Sequence, residues 1–177
     1  MAEAISPACG KDCRVGPFRG LLAMTRVVFA ALVLLAACHG GEPKADSRFA
    51  QVQARGQVAM GVDQYTSHHI FEPLPDGGRI VLQRDSVDSA GTAAIRAHLA
   101  MIAAAFAQGD FQWPGFVHAM TVPGTEVMAA RHDRIHYSTD TLPRGGELRI
   151  SSDDSVAVVA IHEFLAFQSM DHHAAMH

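Results

Sequence analysis

The chain has 177 residues and a formal charge of −4, from 14 Lys and Arg against 18 Asp and Glu. That is length for one domain rather than two. The basic residues are scattered rather than gathered on a stripe, which argues against a nucleic-acid partner. Histidine is the outlier: all eleven lie after Cys38, at positions 39, 68, 69, 98, 118, 132, 136, 162, 172, 173 and 177.

The first predicted element is a signal segment, residues 1–37. Met24 to Cys38 reads MTRVVFAALVLLAAC. Arg26 supplies a basic start, and Val27 to Leu35 is an apolar run too short to span a bilayer, which takes about 20 residues. Leu35-Ala36-Ala37-Cys38 then has the form of a bacterial lipobox, with Cys38 as the residue to be lipidated. Met1 to Ala23 fits poorly as a signal start, so Met24 is an alternative initiator. The expected address is the cell envelope: a lipid anchor at Cys38, with the domain facing the periplasm or the outer surface. Before Cys38, Lys11, Arg14, Arg19 and Arg26 outnumber Glu3 and Asp12 by two, so the remainder carries −6. Cys9 and Cys13 leave with the signal, and an acylated Cys38 leaves no thiol for a disulfide.

Residues 38–56 are small and polar and read as a tether. Residues 57–177 read as a single α+β domain containing two similar units. The first has LPDGGRIVLQRD before a helical segment with IRAHL; the second has LPRGGELRISSDD before one with IHEFL. Gly77-Gly78 corresponds to Gly145-Gly146, Ile95 to Ile161 and Leu99 to Leu165. Strands are expected near 68–75, 79–84, 134–141 and 147–152, with Gly-Gly hairpin turns. Helices are expected near 90–108 and 154–173, capped by Asp88 or Ser89 and by Asp153 or Asp154. This predicts a duplicated ββα unit: a four-stranded antiparallel sheet with two helices on one face. Residues 110–133, with Trp113-Pro114-Gly115 and Pro123-Gly124, read as a long connection holding a short helix at 125–131.

On the second helix, Ile161, Leu165, Gln168 and His172 share a stripe that begins apolar and ends polar. Either that end leaves the core for solvent, or it lines a polar pocket. His98 flanks the core stripe of the first helix. His118 sits in the connection. His68 and His69 are adjacent at a strand start, so at most one faces any pocket. A converging set drawn from His68, His69, His98, His118 and His172 would suit copper or zinc, and Met120 and Met128 add thioethers that favour copper(I). The tail DHHAAMH places His172 with Met176, and His173 with His177, at chelating spacing. No His-Glu-x-x-His or Cys-x-x-Cys motif is present; His162-Glu163 lacks its second histidine. Two other readings stay open: a non-catalytic interaction or small-ligand module with structural histidines, and an acid–base enzyme using one of them.

GVDQYTSHHIF, GGRIVL, IRAHL, GDFQWPGFVH, VPGTEVM and HEFLAFQSMDHH together resemble a group of small exported bacterial lipoproteins of uncharacterised activity. The resemblance covers nearly the whole domain and implies no catalytic residue. Some chains of this look carry an aspartate carbamoyltransferase label. That enzyme resembles a much longer two-domain chain with a Ser-x-Arg-Thr phosphate loop, and this sequence has neither.

Overall fold

Among the described residues four eight-residue strands form the sheet, and the helices cover the face on which Phe71, Ile80, Leu148 and Ile150 are buried. The computed structural model describes residues 44–174; the signal segment, Cys38 and the last three residues lie outside them. The strands are β1 (Ser67–Leu74), β2 (Gly77–Arg84), β3 (Ile135–Leu142) and β4 (Gly145–Ser152). They form one antiparallel sheet in the order β1-β2-β4-β3. His69 and Phe71 of β1 pair with Leu82 and Ile80 of β2, which pair with Gly146 and Leu148 of β4. Side chains two apart share a face, so these positions make the inner face, with Ile150 and Tyr137. Arg79 lies on the other face, 2.5 Å from Glu72 and 3.2 Å from Glu147.

Among the described residues five α-helices accompany the sheet: α1 (Lys44–Met60), α2 (Ser89–Phe106), α3 (Gln112–His118), α4 (Thr125–Ala130) and α5 (Ser155–Asp171). Asp88 caps α2 by accepting from the Gly91 amide at 2.9 Å. Asp154 caps α5 by accepting from the Val156 amide at 2.9 Å. The core combines Ile95, Leu99 and Phe106 of α2 with Ile161, Phe164 and Leu165 of α5, all at most 1 % exposed. The expected α+β class, antiparallel sheet and paired helices are all present.

Three local features differ from expectation. The stretch read as a tether is helical from Lys44, and Val52, Gln53, Gly56 and Met60 bury one stripe of α1. The 110–133 connection holds α3 as well as α4; Pro114 is tolerated because the first helical turn needs no partner for its missing N–H. The Gly-Gly pairs are not the turns. Pro75-Asp76 and Pro143-Arg144 turn the chain, and the glycines begin β2 and β4. They are glycine for clearance. A Cβ at Gly78 would lie inside the Leu165 side chain and 2.8 Å from the Glu72 carbonyl oxygen; one at Gly146 would lie 3.0 Å from Leu99 and 2.9 Å from the Asp140 carbonyl oxygen.

Those two environments are equivalent, because the units are related by a two-fold arrangement. Ile80 pairs with Leu148, its own counterpart, at the centre of the β2–β4 ladder. Each helix crosses over: α2 packs on β3 and β4, and α5 on β1 and β2.

Candidate functional site

Where α5 ends over β1, the packing leaves a cavity of about 80 Å³. Its wall is mostly apolar, from Met60, Phe71, Phe106, Trp113 and Phe164. Its polar side chains are His69, His98, His172, Gln64 and Gln168.

Three imidazoles reach it from three elements. His69 comes from the inner face of β1, His98 from α2, and His172 from the residue that ends α5. The His69 and His172 rings meet edge to face, with centroids 5.4 Å apart. Each ring carries a buried nitrogen with no hydrogen-bond partner among the described residues: His69 Nε2, His98 Nδ1 and His172 Nδ1. Burial pushes His69 down to about 4, and the neighbouring His68 and His98 push the same way. Burial also pushes His172 down to about 3, with His69 and His118 adding to it. Burial lowers His98 too, against a hydrogen bond to the Ala59 backbone. All three rings are therefore neutral near pH 7.

His118 lies behind this wall. It is the last residue of α3, and its side chain is 1 % exposed. Its Nδ1 is 2.5 Å from Asp171 Oδ2 and its Nε2 is 2.9 Å from Gln168 Oε1. Asp171 Oδ1 accepts from Arg48 Nε at 2.8 Å, which ties α1 to α5. Burial alone would raise Asp171, but the hydrogen bonds from Arg48 and His118 outweigh it and hold the carboxyl below its ordinary range. The result is a relay, Arg48–Asp171–His118–Gln168, running from the half-exposed Arg48 to the cavity wall.

The structure therefore gathers His69, His98 and His172, and connects His118 to them only through Gln168 and an edge-on ring contact with His172 at 5.1 Å. His68 is on the opposite sheet face, exposed, with Nδ1 3.2 Å from Asp85. Strand alternation forces that split between neighbours. Of the thioethers expected near the site, Met128 is fully buried in the core and Met120 is 42 % exposed; the one lining the cavity is Met60. Among the described residues, no three His, Cys, Asp or Glu side chains are drawn together closely enough to hold a metal ion. His173 of the tail stacks on Phe49, with centroids 4.1 Å apart; Met176, His177 and Cys38 lie outside the described residues. His162 and His132 bond backbone carbonyls, of Leu74 at 2.9 Å and Ala107 at 3.2 Å.

Sequence reading missed Gln64, Met60 and the His118–Asp171 pair. Gln168 was visible as the turn from apolar to polar in the α5 stripe. The α5 end lines a pocket rather than emerging into solvent.

The fold and site define a two-layer α+β domain with a histidine-lined cavity. The chain matches no family model, no curated protein and no solved structure.

Proposed function

We propose that this domain binds a small uncharged guest in the cavity between α5 and β1. The observation that carries this reading is the set of three neutral imidazoles. Each ring lines one largely apolar space and carries a buried nitrogen unpaired among the described residues. An unpaired buried polar atom costs roughly 1–3 kcal/mol, so a guest that the rings turn to meet offsets that cost. Among the described residues, no Lys, Arg, Asp or Glu lines the cavity, and an unpaired charge would be costly there.

Size narrows the guest. The cavity volume of about 80 Å³ is near half of the ~150 Å³ in which an engineered apolar cavity accepts benzene. That suits roughly three or four heavy atoms. At a ceiling of about 1.5 kcal/mol per atom, the Kd is no tighter than tens of micromolar.

A second reading is a copper or zinc site, favoured by the same three nitrogens and by the Met60 thioether. It requires the rings to turn toward one point, since they do not share one here. Copper(I) suits this carboxylate-free wall better than zinc, because it brings a single charge into an apolar space.

NMR titration of the histidine ring resonances separates the readings, with small alcohols, copper(I) and zinc added in turn. Uptake of an alcohol, shifting His69, His98 and His172 but not His68, is the expected result. Tight stoichiometric metal binding lost on His98→Ala and His172→Ala, and kept on His68→Ala, would favour the metal. Binding of neither would remove both.

We further propose that acylated Cys38 holds the domain at a membrane surface, as its signal-like leader suggests. Detergent partition of the intact chain, lost on Cys38→Ala, is the expected result.

A further inference from the structure

We infer that the end of the domain where α1 begins rests on the lipid surface, with Tyr65, Met120 and Met170 set into the interface. This rests on the reading of Cys38 as a lipid anchor.

The length of chain before α1 sets the location. Cys38 stands six residues before Lys44, the first residue of α1. Six residues reach at most about 20 Å when fully extended. A lipid on Cys38 therefore keeps the start of α1 within that distance of the bilayer.

The side chains around the opening turns of α1 suit that neighbour. Arg48 donates to Asp171 at 2.8 Å, and its Nη2 lies 3.5 Å from the Met120 sulfur. Met120 is 42 % exposed, and Met170, beside Asp171 at the end of α5, is 68 % exposed. On the next residue of α1, Phe49 stacks on His173 at 4.1 Å and meets Tyr65 edge to face at 6.1 Å. Tyr65 is 64 % exposed. Three exposed side chains, from the turn before β1, the α3–α4 connection and α5, thus gather around the place where the chain arrives from its anchor. Other exposed apolar residues, such as Val87 and Val156, are of the ordinary scattered kind. Val156 stands fourteen residues before Met170 on α5, about 21 Å away along the helix.

The chemistry of the three fits a water–hydrocarbon boundary. Tyrosine has an apolar ring and a polar tip, and collects at membrane interfaces. Methionine is flexible and polarizable, and adapts to an irregular neighbour. Charge sets the headgroup. Asp171 is paired with Arg48, and Asp63 accepts from the Tyr65 amide at 2.9 Å. The two acids outnumber the one base in these contacts, so a zwitterionic headgroup is a better neighbour than an anionic one.

Three side chains are too few to hold a free domain on a membrane. The anchor changes that requirement. A contact joined to its partner by a short linker sees an effective concentration in the millimolar range, so a contact of millimolar strength is enough. The lipid supplies attachment, and the patch supplies orientation.

The test uses the full chain acylated at Cys38, in phosphatidylcholine nanodiscs with nitroxide-bearing headgroups, followed by NMR. The Met120 and Met170 methyl signals and the Tyr65 ring signal are expected to be lost, while the Val87 and Val156 methyl signals remain. In Met120→Ser/Met170→Ser, attachment is expected to persist and the Tyr65 signal to return. If that variant does not fold, the wild-type pattern decides the matter alone. Loss first at Val87 or Val156, or even loss around the whole domain, would overturn the inference and leave the anchor in place. Broadening of the three signals in lipid-free Cys38→Ala, growing with protein concentration, would give the patch to a second copy and overturn it too. If Cys38→Ala and the intact chain partition alike, the anchor and the inference fall together.

Discussion

The two ββα units place different chemistry at the same structural position. In the first, the helix ends in Phe106, which meets Tyr137 of β3 edge to face at 5.9 Å and stacks on Phe111 at 4.4 Å. In the second, the helix ends in His172, which meets His69 of β1 at 5.4 Å. One turn earlier, Ile102 in the first unit stands where Gln168 stands in the second. The first unit closes its helix end with aromatic packing, and Ile102 and Phe106 form the apolar side of the cavity whose polar side the second unit supplies from His69, Gln168 and His172. A scaffold that works with phenylalanine and tyrosine at these places does not need histidine there for folding.

Three measurements would break or sharpen that contrast. The largest expected effect is in the sealed half. Phe106→Ala, at a side chain 1 % exposed, should cost about 3–5 kcal/mol in chemical unfolding. His172→Ala, at the matching place, should cost about 1 kcal/mol or less. Equal losses would mean that the two helix ends do the same structural job.

Acid should act through the open half. A histidine held below 6.5 in the folded state takes up its proton more readily when unfolded, so stability is lost as pH falls. The window runs from about 6.5 down through about 4 for His69 and about 3 for His172. Each ring contributes up to about 1.4 kcal/mol per pH unit within it. The charges that act on His69 are those of His68, His98 and Asp85, and on His172 those of His69, His118, His173 and Asp171. The two carboxylates soften the loss without reversing it. Denaturant midpoints between pH 7.5 and 4.5 test this, and a flat profile would mean that the rings are not buried as described.

The smallest effect is a gain. His172→Phe copies the first unit into the second, fills space and removes one unpaired nitrogen. It should raise stability by about 1 kcal/mol, as cavity-filling changes do, and abolish uptake of a small alcohol. Retained uptake would move the site away from His172.

Much of this fold was legible because its rules are local. Asp88 and Asp154 announce helix starts, and Ile80 with Leu82, and Leu148 with Ile150, announce a strand face. The Gly-Gly pairs misled because a hairpin turn and a close helix approach both call for glycine, and only packing tells them apart. Helix α1 was hidden by its polar composition, since half of its buried stripe is Gln53 and Gly56. Helix α3 was hidden by Pro114, which breaks a helix in its middle but not in its first turn. For the site, alternation separated His68 from His69, and the α5 stripe pointed to Gln168 and His172. His118 could not be placed, because its partners Asp171 and Gln168 are 53 and 50 residues away along the chain. Contacts at that range leave no local pattern to read.

The crossing of α2 and α5 over each other's hairpins has a consequence for how the molecule holds together. A single ββα segment cut from this chain would keep only the smaller part of its helix packing, α2 on β2 or α5 on β4. Leu99 reaches its glycine seat only on the later hairpin, and Leu165 only on the earlier one. The halves are interlocked like clasped hands, so neither should acquire a stable core until the other is made. Two separately expressed halves should regain structure only on mixing.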